Sequence, residues 1–177
     1  MPSVESRSFE CACGRTAHEG RGQPIATVAC YCKDCQAAGH AIAARPNGRG
    51  GVAVDGGMVS SLFRIDRVAC VRGAEHLVDH KLRPASHTIR VVAACCNSNV
   101  LTRFDNGTPI IALRAFTDVG HVLPPDVCVY TKHAPDPKQI RHAAPRYAGL
   151  APKLVVRVLR ATLGVALTRL PWLSRRR

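Results

Sequence analysis

Acid is missing from the end of this chain. From Pro137 to Arg177 there is no Asp or Glu, while ten Lys or Arg give that segment +10 of the formal +13. The remaining fifteen bases and all twelve acids lie before it, so the body carries only +3. The high isoelectric point is therefore a property of the tail, and it gives the body no claim to a nucleic-acid surface. Nucleic acid is accordingly the least favoured partner. Also missing is an apolar leader. Met1-Pro2-Ser3-Val4-Glu5-Ser6-Arg7 is polar and is followed by no hydrophobic run, which argues against a secretory signal. No HExxH, no Ser-His-Asp order and no glycine-rich phosphate loop is present, so zincin, triad and Walker-type chemistries are set aside.

Cysteine, by contrast, is plentiful. Nine cysteines, an odd number in close-spaced groups, do not suit a secreted disulfide framework, and a reducing cytoplasm is the expected compartment. At 177 residues the chain is long enough for one good core and short for two.

The densest group is Cys30-Tyr31-Cys32-Lys33-Asp34-Cys35, three thiols in six residues, entered from the apolar Ile25 to Ala29 and left through Gln36-Ala37-Ala38-Gly39-His40. A strand that turns straight into a helix lets three such sulfurs converge on one point, which is metal-ligand spacing. A Cys-x-x-Cys redox pair would not need the third thiol. The spacing leaves open whether a fourth position stays free for a substrate or is closed by a protein ligand. His40 is near enough to be that ligand or a general acid, although the end of a short helix also suits a surface or capping residue.

Cys11-Ala12-Cys13-Gly14 is half of a second, four-ligand site, with Gly14 placed to take the positive φ of a tight corner. Its other half must come from a distant segment. The clearest strand, Thr88 to Ala94, runs into Cys95-Cys96-Asn97-Ser98-Asn99 and is the natural donor. Cys70 and Cys128 stand alone and are expected to be small buried hydrophobes.

Around these groups the sequence predicts a helix from Asp34 to Ala44, strands at Val52–Asp55, Val100–Phe104 and Ile110–Phe116, and a β-rich stretch from Val59 to Val71. The body thus reads as mainly β. Prolines from Pro124 to Pro152 predict an irregular linker. Pro152 to Leu170 is the best helix, with Lys153, Arg157, Arg160, Gly164 and Thr168 on one face and Leu and Val around the rest. It is too short and too charged to span a membrane comfortably. A basic amphipathic helix of this kind is expected to dock on its own domain, on a second copy in a homo-oligomer, or on a membrane surface, where Trp172 and Arg175-Arg176-Arg177 suit the interface.

Taken together, Cys11-Ala12-Cys13-Gly14, the run Cys30 to Gln36 and the strand into Cys95-Cys96-Asn97-Ser98 resemble the glutathione-dependent formaldehyde-activating enzyme family, which includes centromere protein V. The resemblance covers roughly residues 8 to 116 and rests on the order and separation of three cysteine clusters. Within that family it is similar to a branch with Cys-Tyr-Cys-x-Asp-Cys-Gln and Cys-Cys-Asn motifs. The resemblance implies an Mss4-like fold of strands packed around Zn2+, with a domain over residues 8–119, the linker over 120–151 and the basic helix over 152–177.

Cys30, Cys32 and Cys35 match the family's catalytic-zinc thiolates, and Cys11 and Cys13 match half of its structural site. The family's second half is Cys-x-x-Cys-Gly, and this chain departs from it. With Cys96 as the preferred ligand, Ala93 replaces the first cysteine and Asn97 takes the glycine's left-handed place; Cys95 is the substitute. On either register three sulfurs are expected, and a hydrogen-bonded cluster of thiols without metal stays open as the alternative.

The implied activity is that of a carbon–sulfur lyase handling a glutathione–aldehyde adduct, with formaldehyde and a glutathione-like thiol as the model pair. Lys33, Arg45 and Arg49 lie closest in sequence to anchor the thiol's carboxylates, although each is more readily read as a solvated surface residue. The alternative is a non-catalytic, zinc-stabilised binding module acting through its C-terminal helix on membrane, protein or nucleic acid.

Overall fold

A computed structural model describes residues 5–116 and 123–168. Along the chain run β1 (Ser6–Glu10), β2 (Ala17–Arg21), β3 (Ala26–Cys30), α1 (Lys33–Ala43), β4 (Met58–Arg64), β5 (Val68–Arg72), β6 (Leu77–His80), β7 (Thr88–Ala93), β8 (Ser98–Phe104), β9 (Ile110–Leu113), β10 (Val127–Val129) and α2 (Pro152–Thr168). The chain is mainly β, as its sequence predicts. A three-stranded sheet has the order β1-β2-β5, and a seven-stranded sheet the order β10-β3-β4-β9-β8-β7-β6. Among the described residues every pairing between these strands is antiparallel except that of β10 with β3.

The strands that carry the fold are short apolar runs with small or β-branched side chains, such as Ala-Thr-Val-Ala-Cys in β3 and Thr-Ile-Arg-Val-Val-Ala in β7, which pack well on a pleated surface. Between the two sheets Phe9 meets Phe63 edge-to-face with ring centroids 5.7 Å apart. Ile89, Val91, Val100, Ile111 and Leu113 complete that core. A second cluster packs α2 onto the edge of the large sheet, with Leu154 against Ala26, Val28, Val127 and Val129. A third buries Tyr31 with Ala29, Cys128, Ala134 and Ile140.

Three expectations need correction. Residues 120–151 are not a mere linker. Within them β10 joins the large sheet beside β3, and Cys128 and Ile140 are core residues; a parallel partner strand needs only three residues, too few to show a period against the surrounding prolines. Val52–Asp55 forms a single bridge, Val52 to Met58, followed by a turn over Val54 and Asp55 that the Gly56 N–H closes on the Ala53 carbonyl at 2.9 Å. Cys70 is exposed, with its thiol 3.4 Å from the Arg72 carbonyl, whereas Cys128 is buried as expected. The remaining expected elements lie within a few residues of β4, β5, β8, β9, α1 and α2. Residues 169–177, with Trp172 and the terminal arginines, lie outside the described residues.

Candidate metal centre

The knuckle stands at the C-terminal end of β3, where strand pairing fixes Cys30 opposite Met58 on one side and Val129 on the other. Tyr31 then plunges inward. Fully buried at 0 % exposure, it donates its hydroxyl to Asp55 Oδ2 at 2.9 Å, and its N–H donates to the Val129 carbonyl at 3.0 Å. Asp55 is itself held by the Gly57 N–H at 3.0 Å. With that residue anchored, the alternation of a strand turns Cys30 and Cys32 away from it together.

Cys32 caps α1, its sulfur accepting the Cys35 N–H at 3.3 Å, a role ordinarily taken by Ser or Asp. Gln36 closes the corner by donating to the carbonyls of Tyr31 at 2.6 Å and His133 at 2.8 Å. Behind the corner α1 lies close on the following loop. A Cβ added to Gly50 would fall on the Gly39 backbone, so both glycines are needed for the approach.

Cys30, Cys32 and Cys35 converge as predicted, with all three sulfurs within 4.8 Å of one another. Their ionisation is uneven. Hydrogen bonds from Cys30 and Cys32 bring Cys35 down to about 3, against its burial and with help from the charges of Arg114 and Arg90. Cys30 is driven up by its two sulfur neighbours and by burial. The shift favours negative charge on Cys35, the sulfur that its two neighbours hydrogen-bond, which suits it to meet a cation.

The second cluster brings together Cys11, Cys13, Cys95 and Cys96, again within 4.8 Å. Here the structure corrects the expected three sulfurs to four: the vicinal pair places both thiols at the site. Sulfur separations are 3.6 Å for Cys11 and Cys13, 3.9 Å for Cys11 and Cys95, 3.4 Å for Cys13 and Cys95 and 4.0 Å for Cys95 and Cys96. A tetrahedron with metal–sulfur bonds of ~2.3 Å has edges of ~3.8 Å, so the spacing fits a four-thiolate site.

The backbone that makes this possible is as expected, with Gly14 at φ +72 and Asn97 at φ +50. Asn97 tolerates that conformation and fastens the turn by donating to the Pro46 carbonyl at 2.9 Å. Ser98 is not a member of the cluster but supports it, taking the Ala12 N–H at 3.1 Å and lying 3.1 Å from Cys96 Sγ. Burial raises the Cys11 thiol, yet hydrogen bonds from Thr16 and the neighbouring sulfurs outweigh it and bring the group to about 6.

Two residues that the sequence reading passed over stand beside the first cluster. Arg90, in the middle of β7, and Arg114, just after β9, are 2 % and 6 % exposed. Arg90 Nη2 donates to the carbonyl of Asp34 at 3.1 Å, next to Cys35. Arg114 donates to Thr102 Oγ1 at 2.9 Å and Asn99 Oδ1 at 3.3 Å. The signal was an arginine set inside an apolar strand. Of the residues nearest in sequence, Lys33 and Arg49 are exposed and Arg45 is spent on His80, 3.0 Å away. His40 is exposed in the last turn of α1 and belongs to neither thiol group. A cavity of about 140 Å³ opens beside Arg114 and is lined by Phe9, Ser60, Leu113 and Phe116; none of its walls is a cysteine, so the thiols and not the cavity define the site.

No protein-family model matches the sequence, and no curated protein matches it. Among solved structures, a Rhodobacter sphaeroides protein from a structural genomics programme is similar over 79% of this chain and 99% of its own, at 12% identity and a TM-score of 0.46.

Proposed function

We propose that both clusters bind zinc, and that Cys30, Cys32 and Cys35 hold theirs with one position left for a small thiol. On this reading the protein acts on thiol–aldehyde adducts as a carbon–sulfur lyase of the kind its cysteine motifs resemble, with glutathione and formaldehyde as the model pair. The observation that carries the reading is the composition of the first cluster. Three thiols converge, and no His, Asp or Glu completes the set among the described residues, which is the donor count of an open site. Bound there, zinc would lower the pKa of an incoming thiol and polarise a small carbonyl.

The chain's own part is to hold that donor set rigid. Tyr31, Gln36 and the sulfur cap at Cys32 fix the three thiols before any metal arrives. Metal analysis of reduced protein is expected to give about two zinc per chain, falling to about one in Cys32→Ser with the fold kept. Two-dimensional exchange NMR should show the protein speeding the exchange of formaldehyde with glutathione, and the Cys32→Ser variant should not. Two zinc retained by that variant would refute the metal assignment; an unchanged exchange rate with wild-type protein would refute the lyase.

A second reading rests on α2. Leu154 and Val165 are buried, but Val155, Val156, Leu159, Leu163 and Leu167 are exposed, Leu163 by 63 %. Lys153, Arg157 and Arg160 border this stripe. With no acid beyond Asp136, a second copy would set like charges face to face, whereas an anionic lipid surface complements both the charge and the apolar stripe. Co-sedimentation with phosphatidylglycerol vesicles should be lost in Leu159→Glu/Leu163→Glu and weakened by salt. Equal binding to phosphatidylcholine vesicles, or a dimer in their absence, would count against it. No helix among the described residues is long and apolar enough to cross a membrane.

A further inference from the structure

A guanidinium loses most of its hydration when buried, and the ordinary remedy is a carboxylate. Arg90 and Arg114 are both buried, and among the described residues neither has an acidic partner. Each also keeps a buried nitrogen without a hydrogen bond, Nη1 of Arg90 and Nε of Arg114. The two lie near each other, since Arg90 pairs in register with Thr102, whose Oγ1 accepts from Arg114 at 2.9 Å, and Arg90 is among the charges that lower Arg114. Two like charges, desolvated and side by side, need an anion in reach.

The structure offers one source. Arg90 is tied to the first turn of α1 through the Asp34 carbonyl, one residue from Cys35. Arg114, although burial pulls it down to about 10, is drawn the other way by the charges of Cys35 and Cys30. Arginine keeps its charge at neutral pH in such a place, so the pair is a fixed +2. Three thiolates around a divalent ion carry one net negative charge. The arginines overbalance it by one.

We propose that Arg90 and Arg114 are the counter-charge of the three-thiol centre and commit its fourth position to an anionic donor, so that a thiol binds there as thiolate in preference to a neutral ligand. This rests on the zinc reading above and names the ligand class of that same position. A fourth anion brings the group of metal, thiolates and arginines to neutrality, which is the condition a buried ionic cluster needs. Arg90 and Arg114 act through charge on the ligand at the metal, and are specificity-determining residues.

The test uses full-length protein loaded with cobalt(II), whose visible bands report the coordination sphere of thiolate sites. Only a site with an open position changes its bands on adding a ligand. Thiocyanate serves as the anionic probe and imidazole as the neutral one. In Arg114→Met and in Arg90→Met, thiocyanate affinity is expected to fall roughly 10-fold or more while imidazole affinity stays within about 2-fold. Arg114→Lys should restore most of the loss, and circular dichroism shows which variants fold. Should one methionine variant fail to fold, the other carries the comparison. Parallel loss of both ligands, or thiocyanate binding that ignores the charge, overturns the proposal while the cobalt spectrum leaves the metal site standing. If wild-type protein gives no cobalt–thiolate band that answers to either probe, the zinc reading fails and the proposal fails with it.

Discussion

The two thiol clusters use the same atom for opposite ends. One gathers Cys30, Cys32 and Cys35 from a single corner, half-buried, with two fixed cations at its back. The other draws Cys11 and Cys13 from the link between β1 and β2, and Cys95 and Cys96 from the link between β7 and β8, more than eighty residues away. The three sulfurs of the first come from neighbours in sequence, and hydrogen bonds of Tyr31 and Gln36 to the chain behind them hold the corner without any metal. The second brings a link of the small sheet against a link of the large one, so that a metal held there would add to the Phe9–Phe63 contact between the sheets. A local cluster is suited to exchange ligands, a long-range one to hold the fold.

Removing a sulfur from each cluster should separate these roles most sharply. Cys11→Ser or Cys95→Ser is expected to cost on the order of 5 kcal/mol or to prevent folding, read from the denaturant midpoint, and a strong chelator should do the same to the wild type. Cys32→Ser should lose its metal for about 2 kcal/mol or less, chiefly the helix cap. Similar losses at both would erase the distinction.

Next in size is the anchor under the three-thiol cluster. Tyr31→Phe deprives buried Asp55 of a donor and should destabilise the protein by ~1–3 kcal/mol. If the corner is as prebuilt as described, that variant should also bind metal more weakly at the first cluster while the second keeps its own.

The clusters also bear on pH. Cys30 is pushed above the ordinary thiol range by its two sulfur neighbours and by burial, and Cys32, although its hydrogen bond with Cys30 lowers it, is raised on balance by Cys35 and burial. At neutral pH a metal must therefore expel their protons, whereas Cys35 at about 3 has none to give. Affinity at the first cluster should then rise by up to ~2 log units per pH unit near neutrality, as measured by chelator competition. A pH-independent affinity would contradict the assigned protonation.

The smallest effect lies away from both. His18 is buried in β2 with its Nδ1 unbonded, and burial lowers its pKa. A neutral folded-state histidine gives stability that is whole above the unfolded pKa of ~6.5 and drains as pH falls below it toward the depressed folded value. His18→Gln should flatten that acid limb of a thermal-melting profile. An unchanged limb would place the acid sensitivity elsewhere.

What the sequence disclosed followed from locality. Cys30 to Gln36 spell a strand, a turn and a helix cap within seven residues, so their convergence could be read from spacing, and Gly14 and Asn97 announced their left-handed turns by residue type. The vicinal pair was harder. Cys95 and Cys96 differ by one position in a tight turn, and only the approach of the Cys11 corner decides that both sulfurs face it. Arg90 and Arg114 were invisible as a pair because strands β7 and β9 become neighbours only through β8 between them. Val127 to Val129 was lost among prolines because three buried residues have no period to detect.

That last strand sets a condition on synthesis. The backbone of Val129 receives the Tyr31 N–H, and His133 receives Gln36, so the corner holding Cys30, Cys32 and Cys35 leans on chain made almost a hundred residues later. While the ribosome has yet to reach Val127, the three cysteines are already outside or in the tunnel but lack their backing. The corner that places these three thiols together is therefore completed late in the life of the nascent polypeptide, after the sheet has closed.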